Sequence, residues 1–229
     1  MKNNLENSDT KERILKTATK LFAQRGFDGT SVRDICKASG VNVALVSYYW
    51  GGKKELFEAV VQDLLNIQTK YAQSVLDFAI SPEDLSEKEQ VEMMYIAVDK
   101  AIDFFYNDAS YELLTNIMRG QKELSIIGQV PFAKYAARLL SAILKKKETD
   151  KEVILTLGSI IAQIYSPRLL PFFTINLMGQ RTFHPNDIKI IRKNVHIYID
   201  ALLRERGIVF TDLKIPKKYK KSTKNVIKK

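Results

Sequence analysis

The sequence predicts an all-α protein, and three observations support this fold class. Glycine and proline number only 10 and 6 among 229 residues, about half of their usual share, which leaves few turns for a chain of many short strands. Apolar residues recur at intervals of three and four over most of the chain, which is the spacing of a helix face. No stretch alternates with period two long enough to indicate a strand. At ~100–200 residues per domain, the length favours two helical domains.

Composition excludes several classes of protein. Apolar residues make up 45% of the chain and charged residues 27%, which is typical of a folded domain. The single cysteine rules out an intramolecular disulfide and a cysteine-rich zinc site. The polar start of the chain does not resemble a secretory signal, and the longest uncharged stretch, residues 153–167, has 15 residues, fewer than the ~18 of a membrane span. We therefore expect a cytoplasmic protein with no membrane partner.

The net charge of +10 is concentrated at the two ends of the chain. Residues 1–57 contain 10 Lys/Arg and 6 Asp/Glu, residues 58–212 contain 18 and 20, and residues 213–229 contain 8 lysines and no acid. Basic segments attract phosphate, either in nucleic acid or in an anionic membrane. We expect residues 209–229 to form a flexible basic tail, for which a solvated extension without a partner is the alternative.

The first helix is predicted to begin at a capping box and to end at a glycine. Asp9 and Glu12 are three residues apart, as the box requires. Gly26 stands where a left-handed residue often ends a helix. Between these signals, apolar residues follow one helical face at Ile14, Leu15, Ala18, Leu21 and Phe22.

A second, short helix is predicted to begin after a hydroxyl. Ser31 and Asp34 have capping-box spacing, and Gly40 is predicted to end the helix. Cys36 is expected to pack in the core rather than to act as a redox sensor, because its neighbours are apolar and no second cysteine exists.

A third helix is predicted over about residues 43–49, with Asn42 as its N-cap. The glycine pair at 51–52 then breaks the chain before a long helix that begins near Lys53. Helix, tight turn and helix form the helix-turn-helix pattern, which by itself is a weak signal because many helical domains contain such a turn.

Polar groups at this pattern favour DNA binding. Hydroxyls at the start of the second helix lie where helix-end amides bind phosphate. A phenol and an ammonium, suited to backbone phosphates, follow the third helix at Tyr49 and Lys53. The third helix also carries a face that the core does not need, formed by Val43, Ala44, Ser47 and Tyr48.

Over about 45 residues without a gap, this region resembles the DNA-binding region of TetR/AcrR-type regulators. The resemblance implies a three-helix DNA-binding domain over residues 1–53, presented twice by a homodimer, with the third helix in the major groove of double-stranded DNA. It also implies a transcriptional regulator, most often a repressor that a small effector releases from a palindromic operator. The matching residues are Ile14, Leu15, Ala18, Leu21, Phe22, Gly26, Phe27, Thr30, Ser31, Val32, Ile35, Gly40, Val41, Asn42, Tyr49, Trp50, Gly51, Gly52, Lys53, Leu56 and Phe57.

The resemblance further implies which residues touch DNA. Positions that often face bases are matched by Asn42, Val43, Ala44 and Tyr48. Positions that often touch phosphate are matched by Thr30, Ser31, Ser47, Tyr49 and Lys53. Since Val43 and Ala44 have no side-chain hydrogen-bond donor, they are suited to a thymine methyl group. For Tyr49, packing against the first helix is the alternative.

Residues 54–208 are predicted to form a larger helical domain for effector binding and dimerisation. Pro167 and Pro171 are expected to kink or break one of its helices. The amphipathic stretches cover about residues 53–79, 87–107, 109–119, 126–146, 152–178 and 185–206.

The last helix carries an apolar stripe at three- and four-residue spacing. With the preceding helix, the resemblance implies a four-helix interface between two subunits. The alternative is that the stripe only covers its own domain's core. The stripe consists of Ile188, Ile191, Val195, Ile199 and Leu202.

Large apolar side chains of the middle helices are the candidate lining of an effector pocket, and they suit an apolar or aromatic effector of unknown identity. Arg168, in an apolar stretch, either binds an effector carboxylate or pairs with a nearby acid; we favour the second interpretation. The other candidates are Phe104, Phe105, Met118, Tyr135, Tyr165 and Phe173.

No motif indicates an enzyme. The sequence lacks a glycine-rich phosphate loop, Gly-x-Ser-x-Gly and His-Glu-x-x-His, so we predict no catalytic residue, no metal and no cofactor. The alternative to a DNA-binding regulator is a basic-tailed helical interaction protein that binds anionic membranes or acidic partners.

Overall fold

The computed structural model describes residues 2–75, 80–107 and 131–209. These residues fold into two compact units, the first over 2–67 and the second over the described residues from 68 to 209. All regular structure among them is helical. The helices are α1 (Lys2–Arg25), α2 (Val32–Ser39), α3 (Ala44–Trp50), α4 (Lys53–Val75), α5 (Glu87–Asn107), α6 (Pro131–Leu144), α7 (Lys151–Leu169) and α8 (Pro185–Glu205), with short 3-10 turns at Pro82–Asp84 and Pro171–Phe173.

The first helix begins earlier than the capping box predicts. The structure starts α1 at Lys2 instead of after Asp9. The chain contains no glycine or proline before Gly26, so nothing in its backbone chemistry stops the helix from extending towards the amino terminus. Near the predicted start of α1, Glu12 and Lys16 form an i,i+4 ion pair 2.7 Å apart within the helix.

The first unit is built around an aromatic cluster of α1 and α4. Phe22 is fully buried, and its ring meets Phe57 edge-on with centroids 5.1 Å apart. Phe27 completes the cluster. Other residues buried in this unit include Ile14, Ala18, Ile35, Cys36, Val46, Leu56 and Val60. Burial raises the pKa of the Cys36 thiol, in agreement with its predicted place in the core.

The second unit is a packed group of helices in which α6 contacts α5 and α7, and α8 contacts α7 and α5. Helix α4 begins in the first unit and ends in this one, since the boundary between the units falls after residue 67. The predicted domain boundary after residue 53 coincides instead with the start of α4. The largest side chains fully buried in the second unit are Phe105, Met93, Met94, Ile102, Leu139 and Leu140.

A polar cluster joins α5 to α8. Arg192 donates a hydrogen bond of 2.6 Å to Asp103, and its guanidinium lies 2.9 Å from Asp99. His196 Nε2 lies 2.8 Å from the same carboxylate. Burial acts to raise the pKa of Asp99, but the hydrogen bond from His196 and the charge of Arg192 outweigh it, so this pKa lies below its ordinary value.

Helix α7 ends at Leu169, earlier than the predicted 152–178 stretch. Pro167 is accommodated in its last turn, and Pro171 begins the following 3-10 turn. A proline has no N–H to continue the helical hydrogen bonds, which explains the break. Among the described residues, no helix combines the length and the apolar character that a membrane span requires.

Candidate nucleic-acid interface

The amino terminus of α2 is closed by the predicted capping box. Asp34 N–H donates to Ser31 Oγ at 3.1 Å, and Ser31 N–H donates back to the Asp34 carboxylate at 3.1 Å. The Ser31 hydroxyl also donates to this carboxylate at 2.6 Å. These bonds from Ser31 lower the pKa of Asp34. Ser31 is exposed, but a phosphate would have to compete with Asp34 for its hydroxyl proton.

Thr30, predicted to touch phosphate, is instead a structural residue. Its side chain is only 1% exposed. Its hydroxyl is shared between the carbonyl of Gly26, at 2.9 Å, and that of Leu21, at 3.2 Å. Because this hydroxyl is buried and already donates to the end of α1, it is not available to DNA. The prediction for Thr30 is therefore wrong.

The connection from α1 through α2 to α3 depends on two glycines. Gly40 ends α2 with φ +67°, a left-handed conformation that favours glycine, and Val41 N–H then bonds Cys36 O at 3.0 Å. At Gly29, an added Cβ would lie 2.4 Å from the carbonyl oxygen of Arg25. A larger residue at position 29 would therefore push α2 away from the end of α1.

Asn42 closes the start of α3. Its side-chain Oδ1 accepts a hydrogen bond of 2.9 Å from Ala44 N–H. The residue directly before the helix is Val43, which is already helical in its backbone angles and provides no side-chain bond. The capping role predicted for Asn42 is therefore performed two residues ahead of the first helical residue.

Helix α3 presents most of its surface to solvent. Val46 is the residue of this helix that is buried. Five residues at its start and along one side are exposed, Val43 by 45% and Tyr48 by 74%. We call these five residues the reading face: Asn42, Val43, Ala44, Ser47 and Tyr48. From residue 42 to residue 50 the chain contains no charged side chain, so any contact that the reading face makes is apolar or a neutral hydrogen bond.

The rings at the end of α3 support one another. Tyr48 meets Tyr49 edge-on at 5.1 Å, and Tyr49 meets Trp50 at 5.6 Å. Lys11 of α1 places its ammonium 5.7 Å from the centre of the Trp50 ring. No local sequence pattern predicts this contact of Lys11, because Trp50 is 39 residues away along the chain.

The predicted phosphate ligands Tyr49 and Lys53 are half-buried rather than fully exposed. Tyr49 lies within α3, and its ring contacts the rings of its neighbours Tyr48 and Trp50 in the same helix, so its packing against the first helix stays a prediction. The Lys53 ammonium lies 4.1 Å from the centre of the Phe27 ring. This cation–π contact holds the charge at the first turn of α4, close in sequence to the end of α3.

Comparison with known proteins identifies this arrangement. The family model "Bacterial regulatory proteins, tetR family" matches residues 14–60, which contain α2, α3 and the capped turns between them. Residues 14–60 therefore form a DNA-binding domain of the TetR type. The protein is a DNA-binding transcriptional regulator, and the three-helix amino-terminal region that the sequence predicted coincides with this domain.

Relatives extend the likeness to known regulators beyond the first unit. YttP of Bacillus subtilis, described as a probable HTH-type transcriptional regulator, is 27% identical over 213 residues, covering 89% of this chain and 98% of YttP. IcaR of Staphylococcus aureus, described as a negative transcriptional regulator of a biofilm operon, is 36% identical over 59 residues, covering 24% of this chain and 32% of IcaR. A TetR transcription regulator from Haloarcula marismortui has the same fold, with a TM-score of 0.59 and 15% identity. The match covers 85% of this chain and 98% of that regulator.

The predicted effector-pocket residues do not form one pocket. Phe104, Phe105 and Tyr135 are buried, and Tyr165 is buried with its phenol pKa raised to about 12 by burial. Phe173 is 67% exposed on the 3-10 turn after α7, so the prediction for this residue is wrong. Met118 lies outside the described residues.

Arg168 is buried among aromatic rings. Its Nη2 donates to the backbone carbonyl of Tyr106 at 3.1 Å. The guanidinium carbon lies 4.7 Å from the centre of the Tyr106 ring and within 6 Å of those of Phe105 and Phe183. These contacts are with a carbonyl and with rings, and the pairing of Arg168 with a nearby acid stays a prediction.

A small open cleft lies between α5, α6 and α7. Of the six predicted pocket residues that are described, Tyr165 is the one that lines it. The walls are otherwise aliphatic, and four alanines keep the helices' side chains short there. The lining residues are Ala97, Val98, Ala101, Ala133, Ala136, Leu157, Ile160, Ile161, Ile164 and Tyr165.

The predicted dimer stripe faces the protein's own core. Ile191, Val195 and Ile199 are between 0 and 9% exposed in a single chain, whereas Ile188 and Leu202 are half-buried at its edge. The stripe thus follows the alternative given above, because α8 packs on α7 and α5 through it. The assignment of its buried residues to a subunit interface is corrected accordingly.

Other apolar side chains of α7, α8 and the segment between them face solvent. They make up nine of the thirteen large apolar side chains that are exposed among the described residues. Ile190 and Ile197 lie two turns apart and so share a face of α8. We call this set the outer apolar face: Ile154, Leu155, Leu170, Phe172, Phe173, Leu177, Met178, Ile190 and Ile197.

Proposed function

We propose that this protein is a homodimeric repressor that binds a palindromic operator and is released from it by a small, largely apolar effector. The observation that carries the proposal is the reading face of α3, which is exposed and charge-free beside a basic first unit. A helix of this size fits the major groove of B-DNA. Ser47 within the face, and Ser31, Tyr49 and Lys53 close to it in sequence, supply hydroxyl and ammonium donors suited to phosphate.

Repression is the direction of regulation that we propose. A regulator that blocks transcription needs only to occupy its operator, and the reading face provides a means of occupying it. The description of IcaR as a negative regulator supports the same direction, through a match to the DNA-binding region alone.

The homodimer follows from the outer apolar face. Exposed apolar patches of this kind on a soluble chain mark interaction surfaces. A palindromic operator presents two equal half-sites, and a second copy of the chain is the partner whose symmetry matches them. We propose that α7 and α8 of each copy pair through this face, in place of the buried stripe.

The effector site that we propose is the aliphatic cleft of α5, α6 and α7. Its lining offers one polar side-chain group, the Tyr165 hydroxyl, among otherwise apolar walls. Such a lining suits the apolar end of a small molecule and excludes a fully charged one. The buried aromatic residues Phe104, Phe105 and Tyr135, together with Arg168, form the surroundings of this site rather than its walls.

We propose that the effector acts by changing which conformation of the dimer predominates. In this division of the chain, residues 1–53 read DNA, residues 54–208 bind the effector and the partner, and residues 209–229 form a basic tail, most of which lies outside the described residues. Helix α4 belongs to both units and is their covalent connection. A coupling of ~1–3 kcal/mol, or about 5–150-fold in operator affinity, is sufficient for such a response.

The test is selection of duplexes from a random DNA pool by the purified full-length protein at ~150 mM salt, where non-specific phosphate binding is weak. We expect enrichment of a two-fold symmetric motif. Binding that enriches no motif and disappears as salt rises would overturn the proposal. In that case, binding to anionic vesicles would be measured next, because it is what the basic-tailed interaction protein predicts.

A further inference from the structure

We infer that the reading face recognises the C5 methyl groups of thymines, and that the central bases of each operator half-site are consecutive A·T pairs read without a guanine contact. This inference rests on the proposed operator binding and specifies the bases that it selects. The major groove presents the thymine methyl as its apolar feature, and guanine as a pair of acceptors, O6 and N7.

The reading face lacks the charged side chains that most often bind guanine. The frequent specific contact to guanine is an arginine or lysine that donates to O6 and N7. Residues 42–50 contain neither of these side chains. Ser47 offers a single hydroxyl, which does not distinguish among bases. Polar discrimination by α3 is therefore weak, and apolar contact is what its surface offers.

Asn42 is restricted by its role as a cap. To read adenine, an asparagine donates to N7 and at the same time accepts from the N6 amino group. Oδ1 of Asn42 already accepts the Ala44 N–H bond of 2.9 Å, and this bond fixes the amide plane against the start of α3. With the amide plane held in this way, we infer that Asn42 contributes its Nδ2 group as a donor to a single acceptor rather than the two-bond contact with adenine.

The apolar groups, in contrast, are exposed and held in place. Val43 is 45% exposed at the helix start, and Ala44 adjoins it. Tyr48 lies on the same side one turn later, with 74% of its surface exposed. Its ring is supported by the edge-on contact with Tyr49. Two methyl-bearing residues and a supported ring, spaced along one side of a helix, form an apolar strip that matches successive thymine methyls.

The experiment replaces thymines in the selected operator by deoxyuridine, one at a time. Deoxyuridine pairs like thymine and lacks only the C5 methyl group. At the central positions of each half-site we expect each replacement to weaken binding by about fourfold, the effect of leaving one methyl group unburied. A second series replaces any guanines in the half-site by 7-deazaguanine, which lacks the N7 acceptor, and we expect no change in affinity.

A pair of variants connects the effect to α3. Val43→Ala should weaken binding to the thymine operator. At one or more positions, the affinity of this variant should no longer differ between thymine and deoxyuridine. Val209→Ala removes the same atoms from a residue that is 65% exposed outside the first unit, and it should leave the deoxyuridine pattern unchanged. Intact binding to an all-deoxyuridine half-site, or a loss of affinity with 7-deazaguanine, would overturn this inference while leaving operator binding established. If no motif is enriched at all, the proposed function itself fails.

Discussion

The side-chain oxygen of Asn42 accepts a hydrogen bond from the backbone N–H of Ala44, 2.9 Å away. Through this bond, a residue that sequence resemblance places against DNA bases also determines where α3 begins. Its two functions use different atoms: Oδ1 closes the helix, and Nδ2 remains for a ligand. The two functions can therefore be separated by mutation.

Asn42→Ala should destabilise the first unit by about 1 kcal/mol, with a range of ~0.5–2, because the Ala44 N–H loses its acceptor. Asn42→Asp keeps an acceptor at the same position and should remain close to wild-type stability while weakening operator binding. Urea unfolding followed by circular dichroism measures the first effect, and a DNA titration measures the second. Equal stability of wild type and Asn42→Ala would contradict the capping role.

Tyr48→Ala should cost ~1–3 kcal/mol of binding free energy on the operator and little on random duplex DNA. The side chain is exposed, so its removal leaves the protein core intact. Tyr48→Phe keeps the ring and should retain most of the affinity, because the proposed contact is apolar. Titrations of both variants on both duplexes decide this. If Tyr48→Ala weakens the two duplexes equally, Tyr48 is not a base reader.

Asp99→Asn should reduce the free energy of unfolding at pH 7 by about 1–3 kcal/mol, because the amide carries no charge to pair with the Arg192 guanidinium and keeps only one acceptor oxygen. The folded-state pKa of Asp99 is lowered, so its stabilisation is present above the ordinary carboxylate pKa of about 4 and is lost as the pH falls through the lowered value. The two proteins should therefore converge in stability in acid. A difference that stays constant from pH 7 to pH 3 would refute this linkage.

Leu155→Glu should convert the proposed dimer into monomers, because it places a carboxylate in the outer apolar face. Leu155 is 70% exposed in the single chain, so the substitution should leave the helices folded. Val209→Glu, at a residue exposed to a similar degree, is the matched control and should remain dimeric. Sedimentation velocity of the three proteins checks this, and a dimeric Leu155→Glu protein would show that the subunits pair elsewhere.

Ala101→Leu should block the cleft. The larger side chain fills space between α5, α6 and α7 that the alanine leaves open. We expect weaker binding of the apolar dye anilinonaphthalene sulfonate, with operator affinity unchanged in the absence of effector. Ala38→Leu, at an exposed position of α2, is the control for dye binding. Unchanged dye binding by Ala101→Leu would move the proposed effector site away from this cleft.

Local signals in the sequence were sufficient for the elements near the DNA-binding site. The Ser31–Asp34 box and the left-handed Gly40 act within a few residues, and both lie where they were predicted. The bounds of α5 and α8 also match closely, because strong amphipathic patterns fix them. Such features depend on neighbours in the chain, which a single sequence displays.

Predictions that depended on tertiary contacts were less successful. Thr30 was expected at the surface, but its hydroxyl bonds a carbonyl nine residues earlier. The apolar pattern of Ile191, Val195 and Ile199 identified a buried face without revealing whether the same chain or a partner buries it. Phe173 was placed in a pocket on its apolar character alone. In each case the outcome depends on how the chain folds in three dimensions, which the spacing of residues does not show.

Trp50, the last residue of α3, is the only tryptophan among the 229 residues. The intrinsic indole emission of the unlabelled protein therefore originates entirely from the end of the helix that carries the reading face. Lys11 and Tyr49 contact this ring, so movement of α1 or α3 alters the fluorophore's surroundings directly. Fluorescence excited at a wavelength that only indole absorbs will therefore report on the surroundings of Trp50. The ten tyrosines and the circular dichroism of the backbone amides report on the chain as a whole. The protein thus carries its own optical reporter at the place where it meets DNA.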